Sequence, residues 1–195
     1  PRSTSSAASD VYKRQAEDSP VIQERALYHR VLIELEVKDY ERSEKHLEQL
    51  LASYPESIYR SEYHFWYALV LHEKNLDPIR SLMALRQIDQ GSERVDDSLF
   101  LQGRIHLEQS NWSQAVRVFR KLKTNLVDSP YLEPGLLFLA EAFFQQKDHV
   151  EAQAVLSELR QKFNPLQEPI PVIHLQVRNL KAMGAFEEVD DLLRK

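Results

Sequence analysis

The residues that could carry chemistry are scattered along the chain and do not form an active-site motif. The seven histidines, at positions 29, 46, 64, 72, 106, 149 and 174, include no pair four residues apart, which is the spacing of a helical metal site, and no H-E-x-x-H motif. The four glycines are isolated, so no glycine-rich loop is available to bind phosphate. The sequence has no G-x-S-x-G serine motif and no cysteine nucleophile or thiolate ligand. We therefore predict a protein that is not an enzyme and that has no metal or cofactor.

Two further patterns have structural explanations. Asn111-Trp112-Ser113 matches the N-glycosylation acceptor pattern, but we assign Trp112 to a packed turn. The acidic stretches 44–48 and 187–191 alternate with apolar residues, which is typical of a solvated helix face.

The composition is that of a soluble, helical protein. Hydrophobic residues make up 43% of the 195 residues and charged residues 28%, and only 4 glycines are present. The net charge of −5 gives no general attraction for nucleic acid or for anionic membranes. No window approaches the 18 consecutive apolar residues of a membrane span. We therefore expect a protein or peptide partner, no nucleic acid, and no direct insertion into a membrane.

A pattern of residue types in 99–126 recurs 37 residues later, in 136–163. Self-similarity at a period of 20 to 50 residues indicates stacked supersecondary units. The matching positions are Leu99, Gly103, His106, Leu107, Trp112, Ala115, Val118, Phe119, Leu122 and Leu126, followed by Leu136, Ala140, Phe143, Phe144, His149, Ala152, Val155, Leu156, Leu159 and Phe163.

The same register extends over most of the chain. Residues expected at the turn inside each helix pair are separated by 36, 36, 37 and 37 positions, and they are Tyr40, Leu76, Trp112, His149 and Phe186. A small or slim residue, which lets the paired helix approach closely, accompanies each of them: Val31, Ala68, Gly103, Ala140 and Val177. The apolar spacing between these markers is helical. The sequence therefore predicts an all-α fold, a right-handed α-solenoid of about five helical hairpins.

The domain boundaries follow from composition and from the repeat register. Residues 1–18 are small, polar and aperiodic, so we interpret them as a disordered tail; the string SAASDVYKRQ in them also resembles read-through of a sequencing adapter. Residues 19–195 form the repeat domain, with proline-containing segments between pairs at 54–57, 128–134 and 164–171. The predicted repeats are 19–56, 57–94, 95–131, 132–168 and 169–195.

These positions resemble tetratricopeptide repeats, and the resemblance covers Pro20 to Lys195. Ser43 and Val189 depart from the family by replacing its alanine, and the second repeat has a shifted loop. Matching residues in the third and fourth repeats are Gly103, Trp112, Ala115, Phe119 and Pro130, then Ala140, His149, Ala152, Leu156 and Pro165. The resemblance implies a non-catalytic scaffold whose first helices line a concave binding surface.

Two junctions suggest a narrower resemblance. The segments YPESIYRSE and DSPYLEP are similar to junctions in bacterial envelope tetratricopeptide proteins, such as the Tol-Pal coordinator and the lipoprotein of the outer-membrane assembly machine. This resemblance favours a periplasmic or envelope location. The alternatives are a cytosolic tetratricopeptide adaptor and the regulatory region of a larger enzyme.

The register of the resemblance also gives candidate partner-binding residues on the first helices. Among them we expect Arg104, Arg178 and Lys181 to be exposed and to contact an acidic or C-terminal carboxylate group. The three phenylalanines fit either the core between repeats or the groove. The full set is Phe65, Leu69, His72, Phe100, Arg104, Glu108, Leu137, Glu141, Phe144, His174, Arg178 and Lys181.

The aromatic cluster in 59–67 is too apolar on all sides for a helix with one buried face. We expect neighbouring helices to bury it on both sides, with an exposed protein-binding patch as the alternative. Its members are Tyr59, Tyr63, Phe65, Trp66 and Tyr67.

Overall fold

A computed structural model describes residues 19–75, 77–125, 128–162 and 169–194, and the described residues form ten α-helices and no strand. The all-α prediction is confirmed. The helices are α1 (Pro20–Glu36), α2 (Tyr40–Ser53), α3 (Arg60–Asn75), α4 (Pro78–Leu85), α5 (Val95–Glu108), α6 (Trp112–Asn125), α7 (Leu132–Gln145), α8 (His149–Arg160), α9 (Ile170–Met183) and α10 (Phe186–Leu193). The predicted tail and the repeat positions Leu76, Leu126, Phe163 and Pro165 lie outside the described residues.

The helices pack in chain order as hairpins and divide into two compact units, between Ser92 and Glu93. In the first unit, consecutive helices from α1 to α4 contact one another. In the second unit, consecutive helices from α5 to α10 also contact one another. The first helices of neighbouring hairpins meet there as well, because α7 contacts both α5 and α9. None of the helices in the described part of the chain is long and apolar enough to cross a membrane.

The turn inside four of the hairpins has one residue in the left-handed region of backbone space. The N–H of this residue donates to the carbonyl oxygen three residues before it. The N–H of the following residue donates to the carbonyl oxygen five residues before that residue. This arrangement closes the carbonyl end of the first helix. The left-handed residues are Lys38 (φ 58°), Ser110 (φ 55°), Lys147 (φ 63°) and Gly184 (φ 77°), and the second helix begins two residues later at Tyr40, Trp112, His149 and Phe186. The predicted turn positions are therefore the first residues of the second helices.

The small residue of the third hairpin is required by a close approach. A Cβ atom at Gly103 would lie 2.3 Å from Cζ of Phe119, which is fully buried on α6. A side chain at position 103 would therefore displace the phenylalanine ring. The equivalent residues Val31, Ala68 and Ala140 have no solvent exposure.

Aspartate side chains begin three of the second helices. Asp39, Asp77 and Asp148 each accept a hydrogen bond from the backbone N–H three residues later. For Asp148, the donor is the N–H of Glu151 at 3.4 Å. Ser43, in the position of the family's alanine, is fully buried and donates its hydroxyl to the Asp39 carbonyl oxygen at 2.9 Å.

Candidate partner-binding surface

In the second unit, one partly exposed cluster lies across α7 and α9. The guanidinium of Arg178 is 4.6 Å from the centroid of the Phe144 ring, and its Nη1 is 3.6 Å from Oε2 of Glu141. The Arg178 and Glu141 side chains are 41% and 29% exposed. A cation that is stacked on an aromatic face and still reaches solvent can bind an anionic group without a large ordering cost. We call Glu141, Phe144 and Arg178 the Arg178 cluster.

The remaining charged candidates of this unit are also accessible. On α5, Nη2 of Arg104 lies 3.5 Å from Oε1 of Glu108, and the two side chains are 39% and 43% exposed. His174 and Lys181 on α9 are exposed, and Leu137 on α7 is half-buried. The first helices of this unit therefore present charged groups on both sides of the Arg178 cluster, although the prediction that they contact a partner stays a prediction.

Phe100 belongs to the packed interior of this unit more than to its surface. Its ring is 4.7 Å from that of Tyr131 and 5.7 Å from that of Phe138, centroid to centroid. The Tyr131 hydroxyl donates to Oδ1 of Asp97 at 2.6 Å, and this hydrogen bond, with burial, raises the pKa of Tyr131 to about 12. Of the two interpretations left open by the sequence, the core fits Phe100 better.

The three candidates of the first unit are less available. Phe65 and His72 are only 7% and 6% exposed, and Leu69 is half-buried. Phe65 packs edge-on against Trp66, with 5.2 Å between ring centroids. Of the two interpretations left open by the sequence, the core fits Phe65 better, and helix packing also covers His72, so contact of these residues with a partner stays a prediction.

A buried amide next to the Arg178 cluster was not singled out from the sequence. Asn179 has no solvent exposure, and its Nδ2 donates to the backbone carbonyl of His149 at 2.9 Å, while its Oδ1 lies 3.0 Å from His149 Nδ1. The His149 ring is 5.4 Å from that of Phe144. These contacts hold α9 against α8 and fix the position of Phe144. The available signal was a polar residue in the apolar stripe of α9.

The first unit contains a network of aromatic side chains and carboxylates between α1 and α3. The Tyr28 hydroxyl and Nε1 of Trp66 both donate to Oε1 of Glu62, at 2.8 and 3.0 Å. The Tyr63 hydroxyl donates to Oε1 of Glu24 at 2.7 Å, and burial followed by this bond raises the pKa of Tyr63. The burial that was expected for the aromatic cluster is found for Tyr63 and Phe65, whereas Trp66 and Tyr67 are half-buried and Tyr59 is 41% exposed.

Ion pairs in the first unit connect α2 to α3 and to α4. Glu44 lies 2.9 Å from Nζ of Lys74 and 3.4 Å from Nη1 of Arg80, and Nη2 of Arg80 lies 3.2 Å from Glu48. Burial and the neighbouring Glu48 carboxylate raise the pKa of Tyr67, beside them, to about 12. Within the described ranges, no group of three potential ligands among His, Cys, Asp and Glu is placed to hold a metal ion.

One class of repeat protein is built from helical hairpins that follow one another in chain order, with tight turns that contain a residue in the left-handed region of backbone space. Residues 25–57 and 97–129 each match the family model "Tetratricopeptide repeat". These two stretches are therefore similar to tetratricopeptide repeats, which generally serve as scaffolds for protein–protein interaction. No curated protein matches the chain in sequence.

Several solved structures share the fold. One is a tetratricopeptide repeat protein from Parabacteroides merdae, with a TM-score of 0.75 at 10% identity over 88% of this chain and 64% of that one. This chain thus spans less than two thirds of that protein's length. The MamA protein gives a TM-score of 0.72 at 11% identity over 88% of each chain. PilF of Pseudomonas aeruginosa gives 0.65 at 16% identity over 87% of this chain and 72% of that one.

Proposed function

We propose that this protein is a non-catalytic scaffold that binds a partner protein or peptide on the first-helix surface of its second unit. The observation that carries the proposal is the Arg178 cluster, in which a guanidinium stacked on Phe144 remains 41% exposed. Leu137 and Phe144 supply apolar contacts, and Arg104, Arg178 and Lys181 supply positive charge. Apolar anchors beside cations suit a peptide with an acidic side chain or a free C-terminal carboxylate.

The Glu141 carboxylate gives the surface a preferred orientation for its partner. Because Glu141 lies 3.6 Å from one nitrogen of Arg178, an incoming carboxylate would approach the guanidinium from its other edge. The Gln145 amide donates to Oε1 of Glu141 at 2.6 Å, which holds that carboxylate in place. A partner with two adjacent acidic groups would therefore meet one attractive and one repulsive side chain. We expect a single carboxylate flanked by apolar residues to bind best.

A comparative pull-down tests the site. The full chain is compared with Arg104→Glu/Arg178→Glu and with the matched control Arg117→Glu/Lys162→Glu, which reverses two exposed cations of the same unit outside the first helices. Captured proteins are identified by mass spectrometry, and thermal unfolding verifies that all three chains are folded. A partner that is retained by the wild type and the control, but lost by the first-helix variant, supports the proposal. Equal capture by all three places recognition elsewhere on the molecule.

We also infer that the scaffold works in a bacterial envelope assembly. The two proline-containing junctions support this placement through their resemblance to envelope tetratricopeptide proteins. Fractionation of cells that express the natural reading frame tests it: recovery in the periplasm or with the membrane agrees with the inference. Recovery in the cytosol would favour an adaptor instead, and a second domain with catalytic motifs in that frame would favour the regulatory region of an enzyme.

A further inference from the structure

Within the described residues, the first helix, α1, carries an exposed apolar stripe on one face. Ile22, Ile33 and Val37 are 46%, 62% and 68% exposed, and Ala26 between them is also exposed. At 3.6 residues per turn these four side chains lie within a sector of about 60°, and the stripe is about 22 Å long. The buried side of α1, which includes Val31, faces the opposite direction. Exposed apolar residues that are aligned in this way mark a contact surface more than isolated ones do.

A cleft between α1 and α2 borders one flank of this stripe. It is lined by Arg30, Glu34, Arg42, Lys45 and His46. At its base Glu34 is 8% exposed and its Oε2 lies 2.8 Å from Nδ1 of His46, so the one carboxylate in the cleft already has a partner.

The charge balance of this flank is positive, although the chain as a whole is acidic. Arg42 is paired with Asp39 at 3.4 Å. Among the described residues, Arg30 and Lys45 form no ion pair, and both are exposed. The other flank of the stripe is mixed, because Arg25 and Glu36 are both exposed there. We call the stripe together with this cleft the α1 face.

We propose that the α1 face is a second docking surface, and that its occupant is an acidic amphipathic helix of a partner protein. A narrow, straight stripe on a helix fits the apolar side of another helix, which presents residues at spacings of three and four. The cations Arg30 and Lys45 lie on one side of the stripe only, so the partner helix carries its acidic residues along one flank. This surface lies on a different unit from the Arg178 cluster, and its proposal is independent of that site.

Two other occupants fit the observations less well. In a symmetric antiparallel pair of α1 helices, Ile22 of one copy would lie opposite Val37 of the other, which would bring the two copies of Arg30 together at the centre. Like charges in that position oppose association. A membrane surface is disfavoured because the stripe consists of isoleucine, alanine and valine, without the Trp or Phe typical of helices that lie in the lipid interface.

Fluorescence anisotropy with a designed peptide tests the proposal. The probe is a labelled 18-residue amphipathic helix with leucines at spacings of three and four and glutamates along one flank; a second probe replaces the glutamates with lysines. Each is titrated with the full chain, with Arg30→Glu/Lys45→Glu, with Ile33→Asp, and with the control Arg117→Glu/Lys162→Glu. We expect the acidic probe to bind wild type and control alike, and at least ten times more weakly to the other two variants.

Compensating charge reversal sharpens the test, because the lysine probe should bind Arg30→Glu/Lys45→Glu better than it binds the wild type. Equal binding of both probes to the wild type, or of the acidic probe to all four chains, would overturn the proposal. Three other results would overturn the proposed occupant and assign a different one to the α1 face. These are self-association of the wild type that Ile33→Asp abolishes, binding to anionic phosphatidylserine vesicles that the same variant abolishes, and probe binding only after removal of residues 1–18.

Discussion

The two units of this protein have different interiors although they are built from the same hairpin. In residues 93–194 the centre is an apolar cluster in which Phe119, Leu122, Leu136 and Leu156 are nearly or fully buried. In residues 19–92 one apolar cluster contains Val31, Leu47, Leu50, Tyr63 and Val70. There α1 and α3, the first helices of two neighbouring hairpins, are also joined by hydrogen bonds from Tyr28, Tyr63 and Trp66 to glutamates. The second unit also contains polar pairs, such as Tyr131 with Asp97 and Asn179 with His149, but the first unit has a network in which several aromatic side chains share two glutamates.

This difference shows which kinds of change each unit tolerates. An apolar interior responds to a change of side-chain volume, since a cavity or an overlap removes dispersion contacts directly. A polar network between half-buried groups responds to loss of a donor and to pH, because an unpaired buried polar group is costly. We expect mutations to separate the two units along these lines.

The largest effect is expected from the second unit. Phe119→Ala removes a ring that is 1% exposed and that fills the space above Gly103, so it should lower the free energy of unfolding by about 4 kcal/mol. Chemical denaturation measures the loss, and amide hydrogen exchange shows whether it falls in residues 93–194. An even loss of protection over both units would mean that the two do not respond separately.

In the first unit, Trp66→Ala should lower stability by about 3 kcal/mol, since it removes a large side chain and the Nε1–H that donates to Tyr28 and Glu62. Trp66→Phe keeps most of the ring but removes the Nε1–H, and it should cost about 1 kcal/mol. The same denaturation experiment compares them. If Trp66→Phe is as stable as the wild type, the hydrogen bonds to Tyr28 and Glu62 do not contribute. An unchanged melting temperature for Trp66→Ala, together with lost partner binding, would identify an exposed binding patch.

A pH effect is expected from His64 on α3. Burial, followed by the nearby Arg60 charge, lowers the pKa of His64 to about 4. The unfolded chain therefore binds a proton on this residue between pH 6.5 and about 4 while the folded chain does not, so stability falls as the pH is lowered through that window. Allowing for solvent screening at this half-buried residue, the loss is about 1–2 kcal/mol.

His64→Gln should remove this component, and the exposed His29→Gln serves as the control. Denaturation midpoints at pH 7 and pH 4.5 give the comparison. A wild type and a His64→Gln variant that lose the same stability on acidification would contradict the assignment.

The smallest effect is expected at the turns, because both units have a non-glycine residue in the left-handed region of backbone space there. Lys147 has φ 63°, a conformation that costs an L-residue more than it costs glycine. Lys147→Gly should raise stability by about 0.5–1 kcal/mol, the relief of strain being partly offset by the greater entropy of the unfolded glycine. Differential scanning calorimetry measures the change. The equivalent replacement Lys38→Gly should behave alike, and a loss of stability in both would show that these lysine side chains stabilise the turn.

Much of the fold could be predicted from residue types because the hairpin is a local structure. The spacing of Tyr40, Trp112, His149 and Phe186 predicted where the turns of four hairpins lie, and the small residue at 103 predicted a close approach of the paired helix. The candidate site was less predictable, since the side of a helix that meets solvent depends on its neighbours in space. Phe65, Phe100 and Phe144 are the same residue type in similar helices, yet their environments differ. Phe65 is buried, Phe100 packs among aromatic rings, and Phe144 stacks against the guanidinium of Arg178.

The sequence by itself determined the repeat period, the helical class and the positions of the turns, because these depend on interactions within about 40 residues. Only the tertiary structure decided that Asn179 bonds to His149, that Arg178 stacks on Phe144, and that Glu34 pairs with His46. Each of these contacts joins side chains from different helices. Their formation depends on the packing distance and rotation of the helices, which the spacing of residue types within a single helix does not specify.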